Sequence, residues 1–335
     1  MLSFEYRVLR KNKINIIIWF LLILTVACQS SESRKIVMKI AHNANIEHSY
    51  QVGYEAMGRE LARAGHDNID FQIFPASQIG EEEEAIEMIK LGVIASTPAN
   101  IGAIGSFVPE ADLFNFPFLF RNLEHFYKVV DGPVGDQIAR KIEENLDCLV
   151  LGWWFSGARN VWNSERPIHK PNDLKGLKIR VIASPVILES FDALGAQSTS
   201  MSFGELYSAV QQGVLDGAEC DLTDIHGMKF YEVTKYVSST EHLFLAVALL
   251  YSKKQYDLLS PEVQKVVRRA GKNSEKIQRE AMELKTRESL IELEKLGLIF
   301  NKVDKRPFQT LAWEVYQNNA EKVGGMALIE NILNQ

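Results

Sequence analysis

The feature that most constrains this chain is an uninterrupted apolar run over residues 148–154, which has the length of a strand. A second such run covers residues 244–251. Strands that are apolar on both faces have to be covered on both faces, and helices interleaved with the strands provide that cover. The sequence therefore predicts an α/β protein built around a buried sheet.

Shorter elements alternate along the rest of the chain. The predicted strands are 37–41, 71–74, 148–154, 177–182 and 244–251, and the predicted helices are 49–64, 81–91, 185–194, 203–212 and 261–296. The last helix ends at Gly297 and is longer than most helices of globular proteins, so we expect it to brace two lobes. No internal repeat or low-complexity linker is visible, which favours two lobes joined by crossing strands over two separate domains.

The first 27 residues have the composition of an export signal. Four basic residues precede an apolar run over 14–26, and that run is about half of the length needed to span a bilayer. The segment LTVAC at 24–28 resembles the bacterial lipobox, although Thr25 stands where leucine is commonest. An ordinary cleaved signal peptide with an incidental cysteine, or a transmembrane anchor, are the alternatives.

This resemblance implies that residues 1–27 are a lipoprotein signal peptide and that Cys28 becomes the acylated N-terminus. Residues 28–34 would then be a polar tether, and the protein would be a membrane-anchored lipoprotein of the periplasm or cell envelope. Removing residues 1–27 leaves 33 basic and 42 acidic side chains, a net charge of −9. No basic patch with interleaved aromatics is present, so nucleic acid is not an expected partner.

The composition is that of an ordinary globular protein, with 46% hydrophobic and 24% charged residues. After Cys28 only two cysteines remain. Cys148 lies in the first apolar run and is expected to be a buried small hydrophobe. A disulfide between Cys148 and Cys220 stays open at this point.

Signatures of known catalytic and metal sites are missing. The chain has no nucleophile elbow, zincin motif, Walker loop or dinucleotide-binding glycine motif, and its histidines lack metal-ligand spacing. The acidic run over 81–84 could suggest a metal, but acidic residues also favour a helix N-terminus. We therefore expect no enzyme activity, no metal and no cofactor.

A series of short segments, in order along the chain, carries a family resemblance. The segments include FPASQIG at 74–80, PFLF at 117–120, WFSGAR at 154–159, PIHKPNDLKGLKIRV at 167–181, MSFGELY at 201–207 and QQGVLDGAE at 211–219. This succession resembles the solute-binding proteins of TRAP (tripartite ATP-independent periplasmic) transporters, the DctP-like family. The resemblance covers nearly the whole chain after the leader.

The resemblance implies a two-lobed periplasmic-binding-protein fold of the class II type, with crossing hinge strands and a long helix bridging both lobes. It places residues 35–156 and 246–290 in the first lobe, and residues 157–245 and 291–335 in the second. Such a protein closes on a small carboxylate solute and passes it to the TRAP membrane subunits.

The same resemblance assigns ligand contacts. Arg180, in the segment KIRV, matches the arginine that pairs with the ligand's carboxylate, and a guanidinium suits this role because it offers a planar, permanently charged fork. Arg159 matches a second arginine that contacts ligand, and we expect it to be the more exposed of the two. The alternatives are an interdomain ion pair for Arg180 and a surface salt bridge for Arg159.

Further positions are assigned in the same way. The expected polar or aromatic contacts are His42, Asn43, Glu82, Asn100 and Phe203, while Trp154 could equally be a wall residue or part of the core. Cys220 stands where the family usually has an asparagine that touches the ligand, and a thiol is a poor replacement for an amide.

The pattern is most similar to the branch that binds hexuronates such as glucuronate or galacturonate. A C4-dicarboxylate or another 2-hydroxy or 2-keto acid is the alternative ligand. A sensory binding protein and an exported enzyme on the same scaffold are the alternative functions.

Replacing Cys28 by serine tests the anchor. Because serine cannot be acylated at this position, Cys28→Ser should lose metabolic lipid labelling and move from the membrane to the soluble fraction. A wild-type protein that is soluble and unacylated in its own cell would contradict the lipoprotein assignment.

Overall fold

A nine-stranded mixed sheet organises the protein in the computed structural model, which describes residues 35–64 and 69–335. The export signal and Cys28 lie outside these residues. The strands are β1 (Ile36–Ala41), β2 (Ile69–Phe74), β3 (Ser96–Asn100), β4 (Cys148–Asn163), β5 (Lys178–Val181), β6 (Gln197–Ser200), β7 (Gly217–Cys220), β8 (Tyr236–Ser252) and β9 (Ile299–Lys302).

Helices cover this sheet, as the two-sided apolar strands require. They are α1 (Ser49–Arg63), α2 (Glu82–Leu91), α3 (Ile101–Gly105), α4 (Leu123–Val130), α5 (Pro133–Leu146), α6 (Pro185–Ala193), α7 (Leu206–Gln211), α8 (Leu222–Gly227), α9 (Lys253–Asp257), α10 (Pro261–Lys295), α11 (Lys305–Asn319) and α12 (Met326–Leu333). Short 3₁₀ segments lie at Pro109–Asn115, Pro171–Leu174, Phe203–Glu205, Phe230–Glu232 and Ala320–Val323.

Two long strands, β4 and β8, hold the sheet together at its centre. The strand order is β2-β1-β3-β8-β4-β7-β5-β6, with β9 paired to β8. Strands β4 and β8 are antiparallel to each other, β8 is antiparallel to β3, and β4 is antiparallel to β7. The parallel pairs are β1 with β3, β7 with β5, β5 with β6, and β8 with β9. We call the β2-β1-β3 side the first lobe and the β7-β5-β6 side the second lobe.

The predicted α/β fold with crossing strands is thus observed, and most elements match within a few residues. The main difference is the length of β4 and β8, which contain 16 and 17 residues. Both continue beyond the predicted apolar runs through polar residues such as Asn160, Asn163 and Ser238, which are buried between neighbouring elements. The predicted residue boundaries of the two lobes stay a prediction.

The long helix α10 holds the region where β4 departs from regular pairing. The β4–β8 register shifts between Val150 and Trp153, and again between Phe155 and Ala158. At these shifts the helix side chains bind the strand's backbone. The Gln278 carboxamide accepts from Phe155 N at 3.0 Å and donates to Phe155 O at 2.8 Å, and Glu275 Oε1 accepts from Trp153 N at 2.7 Å.

Gln278 is therefore expected to stabilise the crossing strands. Gln278→Ala would leave a buried N–H and a buried C=O of Phe155 without partners, at about 1–3 kcal/mol for each group. We expect the free energy of unfolding, measured with denaturant, to fall by at least about 2 kcal/mol.

The matched control lies on the outer face of the same helix. The Lys276 side chain is 83% exposed, so Lys276→Ala should change stability by no more than about 0.5 kcal/mol. Equal stability of the two variants would show that these backbone contacts do not hold β4.

Candidate ligand-binding site

One cavity is lined by residues at or just after the carboxyl ends of two sets of parallel strands, β1 with β3 and β5 with β6 and β7, which run in opposite directions and meet at the cavity. Asn43 follows β1, Asn100 ends β3, Ala183 follows β5, and Ser202 follows β6, while Asp224 lies in the helix after β7. The middles of β4 and β8 complete the wall with Ser156, Arg159 and Leu245. In α/β sheets the carboxyl ends of the strands are the usual ligand site, because the loops and helix N-termini that follow several strands converge there.

Six predicted contact residues share this wall. They are Asn43, Glu82, Asn100, Arg159, Arg180 and Phe203. These residues are far apart in the chain and come from both lobes, so the fold brings the predicted set together. Their contact with a ligand stays a prediction.

Arg180 is buried, with 6% of its surface exposed, yet it has no carboxylate at ion-pair distance among the described residues. Its Nε and Nη2 donate to the Met201 carbonyl oxygen at 3.1 and 2.8 Å. Its Cζ lies 5.8 Å from the centre of the Phe203 ring, within cation–π range. Burial lowers the pKa of Arg180, an effect that the charge of Glu219 opposes. These contacts fix the guanidinium and leave Nη1 available to an anion.

Arg159 forms an ion pair with a carboxylate of the protein itself, that of Glu219. Its Nε donates to Glu219 Oε2 in a very short contact, and its Nη2 donates to Glu219 Oε1 at 3.1 Å and to Glu219 O at 2.5 Å. Only 3% of Arg159 is exposed, so the expectation that it would be the more exposed arginine is wrong. Its positive charge is balanced by Glu219, which leaves Arg180 as the unbalanced cation of this wall.

Glu219 itself is completely buried. Burial alone would raise the pKa of Glu219, but the charge and hydrogen bonds of Arg159, together with the His242 ring whose Nε2 lies 3.4 Å from Oε2, lower it to about 2. Glu219 Oε1 also accepts from Ile182 N at 3.1 Å, which ties β7 to the end of β5. The carboxylate therefore holds both Arg159 and the backbone beside Arg180 in place.

Glu82 faces Arg180 from the first lobe. It lies at the start of α2, where Glu81 and Glu84 form a capping box, so the acidic run over 81–84 is a helix N-terminus. Glu82 Oε1 accepts from Asn100 N at 2.6 Å, and Oε2 accepts from Asn100 Nδ2 in a very short contact and from Asn43 Nδ2 at 3.3 Å. Burial raises the pKa of Glu82 to about 7.

Three predicted contact residues lie behind the cavity wall instead of on it. Cys220 is fully buried and its Sγ accepts from Trp162 Nε1 at 3.1 Å. Trp154 is fully buried and its Nε1 donates to Ser274 Oγ of α10 at 3.2 Å. His42 is also buried, with its Nε2 at 3.2 Å from Gln51 Oε1. His42 and Cys220 are thus placed behind the wall and not on it as expected, while Trp154 takes the core position, one of the two considered for it.

The side chain of Cys220 faces the core because successive residues of a strand point to opposite faces. Glu219 points to Arg159, so Cys220 has to point to the opposite face. Cys220 and Cys148 are free thiols in different hydrophobic clusters, so the structure contains no disulfide between them.

Sequence reasoning missed several polar wall residues, which besides the following four include Glu81, Glu83 and Ser202. The four are His48, Tyr50, Ser156 and Asp224. His48 caps α1, since its Nδ1 accepts from Tyr50 N at 3.3 Å, and a histidine directly before a predicted helix was the available signal. Ser156 lies inside the segment WFSGAR. Asp224 lies in the first turn of α8, the helix after β7, and no sequence motif pointed to it.

The two lobes touch around this cavity. A Cβ atom on Gly102 of α3 would lie 2.3 Å from Ile182 Cγ2 beyond β5, so only glycine fits at that contact. Ser184 Oγ donates to Asp112 Oδ1 at 2.8 Å beside it. The structure thus has the lobes closed on the cavity.

Neither a metal centre nor a membrane span is found in the part of the chain that the structure describes. Within residues 35–64 and 69–335, no group of three or more His, Cys, Asp or Glu side chains could hold a metal ion. Over the same ranges, no helix combines the length and the apolar character needed to cross a bilayer.

Two lobes that enclose a cavity, with a buried arginine of β5 left without a counter-charge in its wall, are the features expected of a solute-binding protein. Residues 40–322 match the family model described as bacterial extracellular solute-binding protein, family 7 (DctP). The chain belongs to this family, which confirms the resemblance found in the sequence. A solute-binding protein from Chromohalobacter salexigens is 31% identical over 263 residues, covering 78% of each chain.

Solved structures agree with this assignment. A TRAP periplasmic solute-binding protein from Sulfitobacter sp. NAS-14.1 with bound β-D-galacturonate has 30% identity and a TM-score of 0.84, covering 89% of this chain and 98% of its own. One from Polaromonas sp. JS666 with bound D-erythronate has 31% identity and a TM-score of 0.85, covering 89% and 98%. Other similar structures hold D-glucuronate or succinate. The predicted two-lobed fold is confirmed.

The Arg159–Glu219 pair gives a test of how the site is held. Glu219→Gln leaves Arg159 buried without its counter-charge, which typically costs about 3–5 kcal/mol. We expect that loss in the free energy of unfolding near neutral pH, measured with denaturant. Because the pKa of Glu219 is lowered from 4.5 to about 2, its contribution is present above pH 4.5 and is lost as the pH falls toward about 2.

The stability difference between wild type and Glu219→Gln should therefore shrink across that acid range. Glu280→Gln is the control, since the Glu280 side chain is 67% exposed and should matter by at most about 0.5 kcal/mol. A Glu219→Gln protein as stable as this control would mean that the pair does not support the site.

Proposed function

We propose that this protein captures a hexuronate such as glucuronate or galacturonate, with Arg180 holding the ligand's carboxylate, and delivers it to the membrane subunits of a TRAP transporter. Cys28 would anchor it in the cell envelope. The observation that carries the proposal is the state of Arg180, which is buried in the cavity wall, fixed by Met201 and Phe203, and not balanced by any carboxylate at ion-pair distance among the described residues.

A buried guanidinium without a counter-ion is costly, because it has lost its hydration and gained no counter-charge. A ligand carboxylate would supply the missing charge, and it would bind the terminal nitrogens in the planar geometry that a guanidinium favours. The backbone carbonyl of Met201 orients the fork without neutralising it. Arg180 is therefore positioned to bind the carboxylate of an anionic ligand.

The charges of the wall favour a ligand with one carboxylate and several hydroxyls. Arg159 is already balanced by Glu219, so a second ligand carboxylate would find no free cation. Glu82 and the two asparagines beside it offer hydrogen-bond acceptors and donors that suit hydroxyl groups. Galacturonate and erythronate, which two similar proteins bind, both have this character. A C4-dicarboxylate, as in the succinate-bound relative, fits the charge balance less well.

The test starts with a thermal-shift panel of glucuronate, galacturonate, erythronate and succinate against the protein without its leader. A ligand at about 100 times its Kd should add about 2.7 kcal/mol of stability. Affinities for the ligand found are then measured by calorimetric titration of wild type, Arg180→Ala and Arg180→Lys.

Arg180→Ala should weaken binding by about two to three and a half decades, the effect of removing one partner of a buried ion pair. Arg180→Lys keeps the charge but loses the fork, so its affinity should lie between those of alanine and wild type. Arg306→Ala is the control, because Arg306 is exposed and pairs only with Asp304 at the surface. If folded Arg180→Ala binds the ligand with an affinity within about threefold of wild type, a loss of under 1 kcal/mol, then a residue other than Arg180 holds the ligand's carboxylate.

A further inference from the structure

Three consecutive residues of the second lobe contact the first lobe directly after the strand that carries Arg180. The contacts are Ile182 with Gly102, the Ala183 carbonyl oxygen with Ser106 Oγ at 3.2 Å, and Ser184 Oγ with Asp112 Oδ1 at 2.8 Å. Arg180 precedes these contacts by only two to four residues. A ligand carboxylate held by Arg180 would therefore be linked, through a short piece of backbone, to the surface on which the lobes meet.

The bond between Ser184 and Asp112 is the more enclosed of the two hydrogen bonds. Ser184 is fully buried and only 5% of Asp112 is exposed, whereas Ser106 lies at the surface. Ser184 also caps α6, since its Oγ accepts from Ile187 N at 3.3 Å. The hydroxyl hydrogen is left to donate to Asp112, so one serine both caps the helix and joins the lobes.

The Asp112 carboxylate is held in position from within the first lobe. Its Oδ1 also accepts from Asn115 Nδ2 at 2.7 Å. A Cβ atom on Gly105 would lie 2.4 Å from the same oxygen, so only glycine leaves room for the carboxylate there. The acceptor for the Ser184 hydroxyl is thus fixed in place before the lobes meet.

Closing the lobes changes the surroundings of both groups. When the lobes separate, water solvates the Ser184 hydroxyl and the Asp112 carboxylate. When the lobes close, the two groups lose that water and need each other as partners. A hydrogen bond to a charged group contributes more than one between neutral groups, even after the exchange with water. Neither residue is among those that line the ligand cavity, so any effect on the ligand is exerted through the lobes.

We propose that Asp112 and Ser184 form a latch that holds the two lobes closed and thereby sets how fast a bound ligand leaves. The inference rests on the proposed function in one respect, namely that a ligand binds between the lobes. Both are positioning residues, because they act on the closed state and not on the ligand itself. A ligand enclosed in the cavity leaves only after the lobes separate, so weakening the latch raises the dissociation rate.

Two variants of equal size at position 184 test the latch. Asparagine and aspartate both cap a helix as well as serine does, but only the asparagine amide can donate to Asp112. The carboxylate of Ser184→Asp would instead face the carboxylate of Asp112. We expect the ligand found in the panel to leave Ser184→Asp about 10- to 100-fold faster than Ser184→Asn, the equivalent of one hydrogen bond to a charged group. Stopped-flow displacement of the ligand measures both rates.

Reversing the donor and the acceptor separates the latch from a general effect of charge. The double variant Asp112→Asn/Ser184→Asp carries the same charge as wild type, and the amide at position 112 can donate to the carboxylate at position 184. Its release rate should return to within about threefold of that of Ser184→Asn. Ser260→Asp is the matched control, since Ser260 caps α10 at an exposed position, and it should leave release unchanged. A double variant that releases ligand as fast as Ser184→Asp, or equal rates for Ser184→Asp and Ser184→Asn, would overturn the latch.

A double-mutant cycle with smaller side chains decides the question if the larger ones do not fit the buried position. Asp112→Ala, Ser184→Ala and their combination are compared in ligand affinity and, without ligand, in the equilibrium constant of unfolding. In the combined variant the second substitution should cost about tenfold less than it does alone. Additive effects in both measurements would overturn the proposal. If no acid in the panel binds, the proposed ligand class fails, and additive effects on unfolding then suffice to overturn the latch.

Discussion

The passage of β4 and β8 through both lobes is the constraint on which the rest of the structure depends. Strand β4 shifts register against β8 at three places, and β7 pairs with it only at Asn160–Asn163. Backbone groups on the edge of β4 that β7 does not reach would be unsatisfied in the interior. Helix α10 satisfies them, because Glu275, Gln278 and Arg279 bind the backbone of Trp153 and Phe155. The long helix therefore supports the hinge strands through hydrogen bonds as well as through apolar packing.

The crossing of β4 and β8 between the lobes also determines which of the two arginines has a counter-charge within the protein. Arg159 lies in the irregular stretch of β4, where it meets Glu219 of the adjacent strand β7, and the two form a buried pair. Glu219 also binds the backbone after β5, one strand further along. Arg180 of β5 is left with a backbone carbonyl and an aromatic ring. One arginine thus has a structural partner, and the other is kept in the geometry and charge state that an anion needs.

Much of this arrangement could be predicted from the sequence, and the exceptions have physical reasons. The family motifs pointed to Asn43, Glu82, Asn100, Arg159, Arg180 and Phe203, and all six line the cavity. Trp154 and Cys220 lie in β4 and β7, where successive side chains point to opposite faces. A motif does not specify the face that a strand residue takes, so it could not show that both side chains are buried in the core.

The sequence by itself determined the α/β class, the order of the elements and the family, because hydrophobic runs and short motifs are local properties of the chain. The balance between the two arginines was decided only by the tertiary structure. Whether a guanidinium is neutralised depends on a carboxylate 60 residues away in the chain, and no local pattern encodes that distance.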